Sequence, residues 1–228
     1  MPECVARSGE GIHLVDKFVR NFVFNFYSSN GVVPGCFGLS IVSENKIFKY
    51  LSNLSFSKAA GLDGIPARFV KDSASSIANP LSHIINLSNI QGVVPDDFKT
   101  ARVVPLFKKN DKTEVNYRPV SILSIVSKVL KKVVYDQMEE YLCNKDPLYK
   151  YQSGLRRQFS TESCLLHFTD YIRFEMDKGN FAGMILLDLQ KAFDTVDHSI
   201  HSMKLQALGL NELAVRWFSS YMYLSDRH

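Results

Sequence analysis

Long apolar runs are missing from this chain. Lys17, Arg20 and Asn25 break up its most hydrophobic N-terminal stretch, so nothing approaches the ~18 uninterrupted apolar residues of a membrane span. The first residues, with Glu3, Arg7 and Glu10 scattered among them, have neither the basic head nor the apolar centre of a signal peptide. No membrane partner and an intracellular location, nuclear or cytoplasmic, are therefore expected. Cysteine is scarce too: Cys4, Cys36, Cys143 and Cys164 are the only four in 228 residues, and no C-x-x-C pair occurs. Such spacing excludes a compact zinc site and a dense disulfide framework, and it leaves thiols expected to be buried. His198 and His201 stand three apart with no third soft ligand nearby, which argues against zinc there as well. No internal repeat is present. What the chain does have is 46% hydrophobic, 22% charged and 12% aromatic residues, which excludes disorder as its main state and suffices for a real core.

The net charge is only +4, but its distribution is uneven. From Lys99 to Arg157 there are 13 Lys and Arg against 6 Asp and Glu, while the remainder carries 14 against 17. A basic middle before a mildly acidic end suits a protein that holds a polyanion with one part and metal ions with another. Solvated faces of charged helices give the same pattern.

Residues 1–56 read as an N-terminal extension with a loop around Pro34. Lys58-Ala59-Ala60-Gly61-Leu62-Asp63-Gly64-Ile65 is a glycine-punctuated turn, and Pro66 follows at a first helical position. Asn79-Pro80 reads as the N-cap and first turn of another helix, with Leu81, Ile84 and Ile85 on one face. Asp96-Asp97 belong to a surface turn. Val103-Val104-Pro105-Leu106-Phe107 is a strand that delivers Lys108 and Lys109 to a loop, where they suit phosphate contacts. After Asn116-Tyr117-Arg118-Pro119-Val120-Ser121, apolar residues from Ile122 through Val129, Val133 and Leu142 recur at helical spacing, with Lys128, Lys131 and Lys132 toward the other side. A further helix is capped by Ser160 or Thr161, runs through Leu165, Phe168 and Ile172, and stops at Gly179. Met184-Ile185-Leu186-Leu187 predicts a strand buried on both faces with Asp188 at its carboxyl end. Two helices close the chain, the first ending at Gly209, the second with Ala214, Trp217, Phe218 and Tyr221 on its apolar side.

An aspartate at the end of a buried strand needs a cation or several donors to remain charged. A divalent metal is one such partner for Asp188. The carboxylate also serves as a cap for the turn that follows, and Asp194 and Asp197 leave both readings open.

The blocks Lys58–Ile65, Asn116–Ser121, Gln152-Ser153-Gly154-Leu155-Arg156 with Ser160-Thr161, and Leu187-Asp188-Leu189-Gln190-Lys191-Ala192-Phe193-Asp194 stand in the order of a known family. In them the chain resembles the reverse transcriptase domain of non-LTR, LINE-like retrotransposons of the jockey type, over roughly residues 56–228. The resemblance implies an α+β fold, with helix-rich fingers over about 56–180 and then the start of a right-hand polymerase palm. Residues 1–56 would be an extension or linker and 57–228 a partial reverse transcriptase domain. It implies RNA-templated DNA synthesis from an RNA template, a DNA primer and dNTPs, with two Mg²⁺ ions. Asp188 would be the first catalytic carboxylate and a metal ligand, with the Leu189 carbonyl as a further ligand. Arg118 would reach the triphosphate, Phe193 would pack under the incoming sugar, and Gln152, Ser153, Gly154 and Arg156 would lie against the template.

The chain also departs from the family. The later strand-turn-strand with an aromatic, Ala, Asp and Asp, and the Pro-Gln-Gly block before it, do not occur before His228. Leu155 stands where the family usually has Phe. The expectation is an RNA-directed DNA polymerase truncated before its second set of carboxylates and inactive as this piece alone. The alternative is a non-catalytic fragment that at most binds nucleic acid through its basic middle.

Overall fold

The computed structural model describes residues 36–107, 117–145, 151–156, 158–187 and 196–222, with the backbone alone for 117–119. These residues divide into two compact units, one formed by the chain up to Lys145 together with the part from His198 on, the other by the stretch between Asp146 and Asp197. The class is α+β: helices with one small antiparallel sheet.

The first unit is organised by a helical core. Helix α1 (Glu44–Ser52) starts at Ser43, whose hydroxyl accepts from the Lys46 amide, and it buries Ile47 and Leu51. Helix α2 (Ala67–Asp72) follows Pro66, the N-cap, so the proline stands one place earlier than its sequence signal indicates. Helix α3 (Ala74–Gln91) places Ala78, Leu81 and Ile85 in the core and ends at Gly92, whose φ of 62° is the left-handed cap conformation. A Cβ on Gly92 would lie 2.8 Å from the Leu213 carbonyl oxygen, so glycine is required there twice over.

Asn79-Pro80 does not start a helix. Pro80 lies inside α3, which begins six residues earlier at Ala74. The missing N–H leaves the Ser76 carbonyl without its helical donor, but Ser76 and Pro80 are exposed, so water can serve it. Burial of Ala74 and Ala78 upstream favours continuing the helix through the proline.

Beyond a 3₁₀ turn at Asp96–Phe98, strand β1 (Ala101–Phe107) pairs antiparallel with β2 (Tyr117–Leu123), in the register Ala101 with Leu123 through Phe107 with Tyr117. The second strand lacks a clean sequence signal: Ile122, assigned to the following helix by its spacing, is a strand residue. Pro105 faces Pro119 in this register. A ladder accepts such a pair only where both missing N–H groups would have pointed away from the partner. Helix α4 (Ile125–Lys145) then buries Ile125, Val129, Leu130, Val133 and Val134. Helices α6 (His198–Ala207) and α7 (Glu212–Met222) complete the unit, and Trp217 of α7 joins the core of α1 to α4. Its indole N–H donates to Ser88 Oγ at 2.9 Å, which in turn donates to the Val93 carbonyl at 2.7 Å.

Residues 37–54 belong to the same packing. Phe37 forms a parallel bridge with Leu210 and joins Leu205, Ala214 and Val215 in a second cluster. The Asn86 side chain bonds both the N–H and the carbonyl of Val42, and Gln137 does the same for Ser40.

The second unit carries helix α5 (Thr161–Asp177), opened by a reciprocal capping box between Ser160 and Ser163. Its expected apolar face is not buried: Leu165 is exposed, and no residue of the helix enters a core among the described residues. Gly179, at φ 77°, follows its end as the sequence indicates. The expected strand Met184–Leu187 is not formed. Residues 181–187 have no regular structure, and Ile185 and Leu186 are 87% and 81% exposed. A doubly buried strand needs neighbours to pair with, and the one sheet among the described residues has two strands that pair with each other.

The thiols also depart from expectation. Cys36, Cys143 and Cys164 are exposed and free, while Cys4 lies outside the described residues. Cys143 falls beyond Val134, the last residue of α4 in the core, and Cys164 lies on α5, which buries nothing.

Candidate nucleic-acid interface

The first sequence block packs against the junction that follows the second block, between β2 and α4. In the turn Lys58–Ile65, Asp63 Oδ1 accepts from the Ile65 amide and Gly64 takes φ 66°. Gly61 presses so closely on the β2–α4 junction that a Cβ would lie 2.6 Å from the Ser124 nitrogen. Lys128, one turn into α4, donates to the Ala59 carbonyl at 2.7 Å and ties the turn to the helix.

Beside this junction is a groove of about 440 Å³ lined by Tyr50, Asn53, Leu54, Lys58, Lys128, Val129, Lys131, Lys132 and Tyr135. Helix α1 and the chain after it form one wall, and one face of α4 forms the other. Tyr50 donates its hydroxyl to Asp136 Oδ2 at 2.7 Å, and Lys132 donates to Oδ1 of the same carboxylate at 2.7 Å. Burial pushes the Asp136 carboxyl up, but the hydrogen bonds from Lys132 and Tyr50, with the charges of Lys132 and Lys46, hold it below the usual carboxylate range. Burial, and then the hydrogen bond to Asp136, push the Tyr50 phenol well above its ordinary value. The Lys128 ammonium is lowered, first by burial and next by the like charge of Lys58, with Asp63 opposing. The groove thus gathers four ammonium groups.

The sequence treats Lys128, Lys131 and Lys132 only as the outer side of an amphipathic helix. The signal for the groove was their spacing with Tyr135, at positions 128, 131, 132 and 135, which puts three lysines and a ring on one face.

Of the residues assigned from the sequence, Gln152, Ser153, Gly154 and Arg156 are described. The Gln152 amide donates to the Gly154 carbonyl at 3.3 Å, and a Cβ on Gly154 would meet open space. The Arg156 guanidinium lies 4.6 Å from the centre of the Phe159 ring. Leu155 and Gln158 both adopt left-handed backbone, at φ 58° and 68°, which costs a non-glycine residue energy. Arg118 is placed by its backbone in β2 opposite Leu106. Lys108, Lys109, Asp188, Leu189 and Phe193 lie outside the described residues. Among the described residues no three His, Cys, Asp or Glu side chains gather to hold a metal, and Asp96-Asp97 are a surface turn in which Asp96 pairs with Lys99 at 3.0 Å. No described helix is long and apolar enough to cross a membrane.

Residues 107–228 match the family model described as reverse transcriptase (RNA-dependent DNA polymerase). The chain belongs to that family. Among its relatives, the RNA-directed DNA polymerase from mobile element jockey of Drosophila melanogaster is 26% identical over 188 residues, which is 82% of this chain and 20% of the relative. The corresponding jockey protein of Drosophila funebris is 27% identical over 69% of this chain and 17% of its own length. A retrovirus-related Pol polyprotein from type-1 retrotransposable element R2 of Popillia japonica is 28% identical over 57% of this chain and 18% of the relative. The chain spans about a fifth of the length of the curated relatives it matches.

Proposed function

We propose that this chain is part of an RNA-directed DNA polymerase of a non-LTR retrotransposon, carrying its fingers and the first motif of its palm. The family match over residues 107–228 carries the reading, and the jockey relatives narrow the element type. In it, residues 57–228 are the partial polymerase domain, and residues 37–54 lend side chains to its core although they fall in the extension assigned to residues 1–56. RNA template, DNA primer and dNTPs are the partners, and an intracellular place of action goes with them.

Asp188 and the Leu189 carbonyl are hard oxygen donors of the kind Mg²⁺ takes, alongside substrate phosphates and water. They would hold the divalent ions that, when bound, activate the primer hydroxyl and neutralise the triphosphate. The other roles belong to the chain's own side chains. Arg118 has a planar guanidinium suited to bidentate binding of the triphosphate. Phe193 has the bulk to exclude a ribose 2′-hydroxyl. Gln152, Ser153, Gly154 and Arg156 hold the template strand, and Lys108 and Lys109 take backbone phosphates.

One carboxylate is fewer than a two-metal site requires, so the 228-residue piece alone acts at most as a nucleic-acid binder. The test is single-nucleotide extension of a DNA primer on an RNA template with Mg²⁺. Extension is expected from the natural reading frame that contains this chain and not from residues 1–228 alone. Failure of the longer frame to extend any primer would contradict the polymerase reading.

A further inference from the structure

We propose that the groove between α1 and α4 seats single-stranded nucleic acid, with backbone phosphates on Lys58 and Lys131 and a base against Tyr135. The inference rests on the reading above and adds to it a binding surface outside the residues that the family motifs supply.

Charge is the first argument. Of the four lysines in the groove, Lys132 is paired with Asp136 at 2.7 Å and Lys128 donates to a neutral carbonyl. Among the described residues Lys58 and Lys131 have no carboxylate partner, and Lys131 stands 5.5 Å from the centre of the Tyr221 ring. Two carboxylates, Asp136 and the Asp63 whose charge reaches Lys128, against four ammoniums leave an excess of positive charge in a partly enclosed space, which a phosphate chain neutralises.

The lining is the second argument, and it favours a single strand over a duplex. Leu54 and Val129 give the groove an apolar floor, and Tyr135 is 53% exposed. A duplex keeps its bases stacked inside and offers mainly phosphates, for which an apolar floor and a ring have no use. An unpaired base has a face that packs on both. The volume of about 440 Å³ lies within the ordinary range for ligand pockets of roughly 300–1,000 Å³, so a nucleotide-sized group fits.

Fluorescence anisotropy of a labelled RNA of about 20 nucleotides, titrated with the full 228-residue chain across about 50–200 mM salt, tests this. The double substitution Lys58→Ala with Lys131→Ala should weaken binding about tenfold or more. It should also flatten the slope of log K against log salt by about 1.4, the release expected for two single-strand phosphates. Both lysines are exposed, so the thermal midpoint should stay close to wild type, and the double substitution to Arg should restore affinity. Tyr135→Leu should weaken single-strand binding and leave duplex binding unchanged. Wild-type affinity and slope in the double Ala variant would overturn the inference, as would a free mononucleotide competing as well as the oligonucleotide. Lys108→Ala with Lys109→Ala serves as the comparator. If that pair weakens binding and the groove pair does not, the groove proposal falls and the polymerase reading stands. If the wild-type chain binds no single-stranded RNA, the groove proposal falls, and the polymerase reading is decided separately by primer extension with the longer reading frame.

Discussion

Asp136 shows how one residue gives the first unit a pH dependence. Folded, its carboxyl titrates below the ordinary value of 3.8, because Lys132 and Tyr50 donate to the charged form. As pH falls, the unfolded chain takes up this proton first, so stability rises with pH through the window. The contribution is complete above the unfolded value near 4 and is lost as pH drops through the lower folded one. Asp136→Asn should therefore cost about 1 kcal/mol or less at pH 7, since the pair is partly exposed. Urea unfolding should show that difference vanish toward about pH 2. Gly61→Ala addresses packing at the same scale. Its Cβ would meet backbone atoms of Leu123 and Ser124, which cannot swing aside as a side chain can, so a loss of about 1–3 kcal/mol is expected in the same assay. The Ser160 cap was readable from the sequence because its partners are local. The exposure of Cys143 and Cys164 was not, because burial depends on where a helix meets its neighbours.

At the scale of elements, strong helical periodicity was legible and strand pairing was not. Helices α4, α6 and α7 lie close to where their apolar spacing and glycine stops put them. Strand β2 was missed because Tyr117–Leu123 carries a proline and neither alternates cleanly nor runs apolar throughout. Met184–Leu187 misled in the opposite way: four apolar residues have the composition of a buried strand, but only partners can bury one. Pro80 misled because a proline usually marks a helix start, whereas here the buried face of α3 runs through it. That gives a prediction. Pro80→Ala returns a donor to the Ser76 carbonyl and removes a ring clash, a gain of up to ~3 kcal/mol, against roughly 1 kcal/mol lost because the unfolded chain becomes freer. Thermal unfolding should show a net gain of about 1–2 kcal/mol. A lower midpoint would mean that the helix is built around its proline.

For the whole molecule, the first unit closes only when residues distant in the chain meet. Trp217 sits in the core built by α1 to α4, and its indole holds Ser88, 129 positions earlier. Trp217→Ala should cost about 3–5 kcal/mol, with near-ultraviolet circular dichroism reporting a loosened core. Of the candidate site, the motif order was legible because each block is short and local. The basic groove was not, because it joins Tyr50 and Lys58 to a helix some 70 residues later.

The proposed part of the Asp188 carboxylate in nucleotide transfer is open to primer extension on an RNA template. With Mg²⁺ and the natural reading frame that contains this chain, wild type should add nucleotides, and Asp188→Ala should lose about a thousandfold or more in rate, roughly 4 kcal/mol of barrier. Extension by the Ala variant within about threefold of wild type would contradict the account.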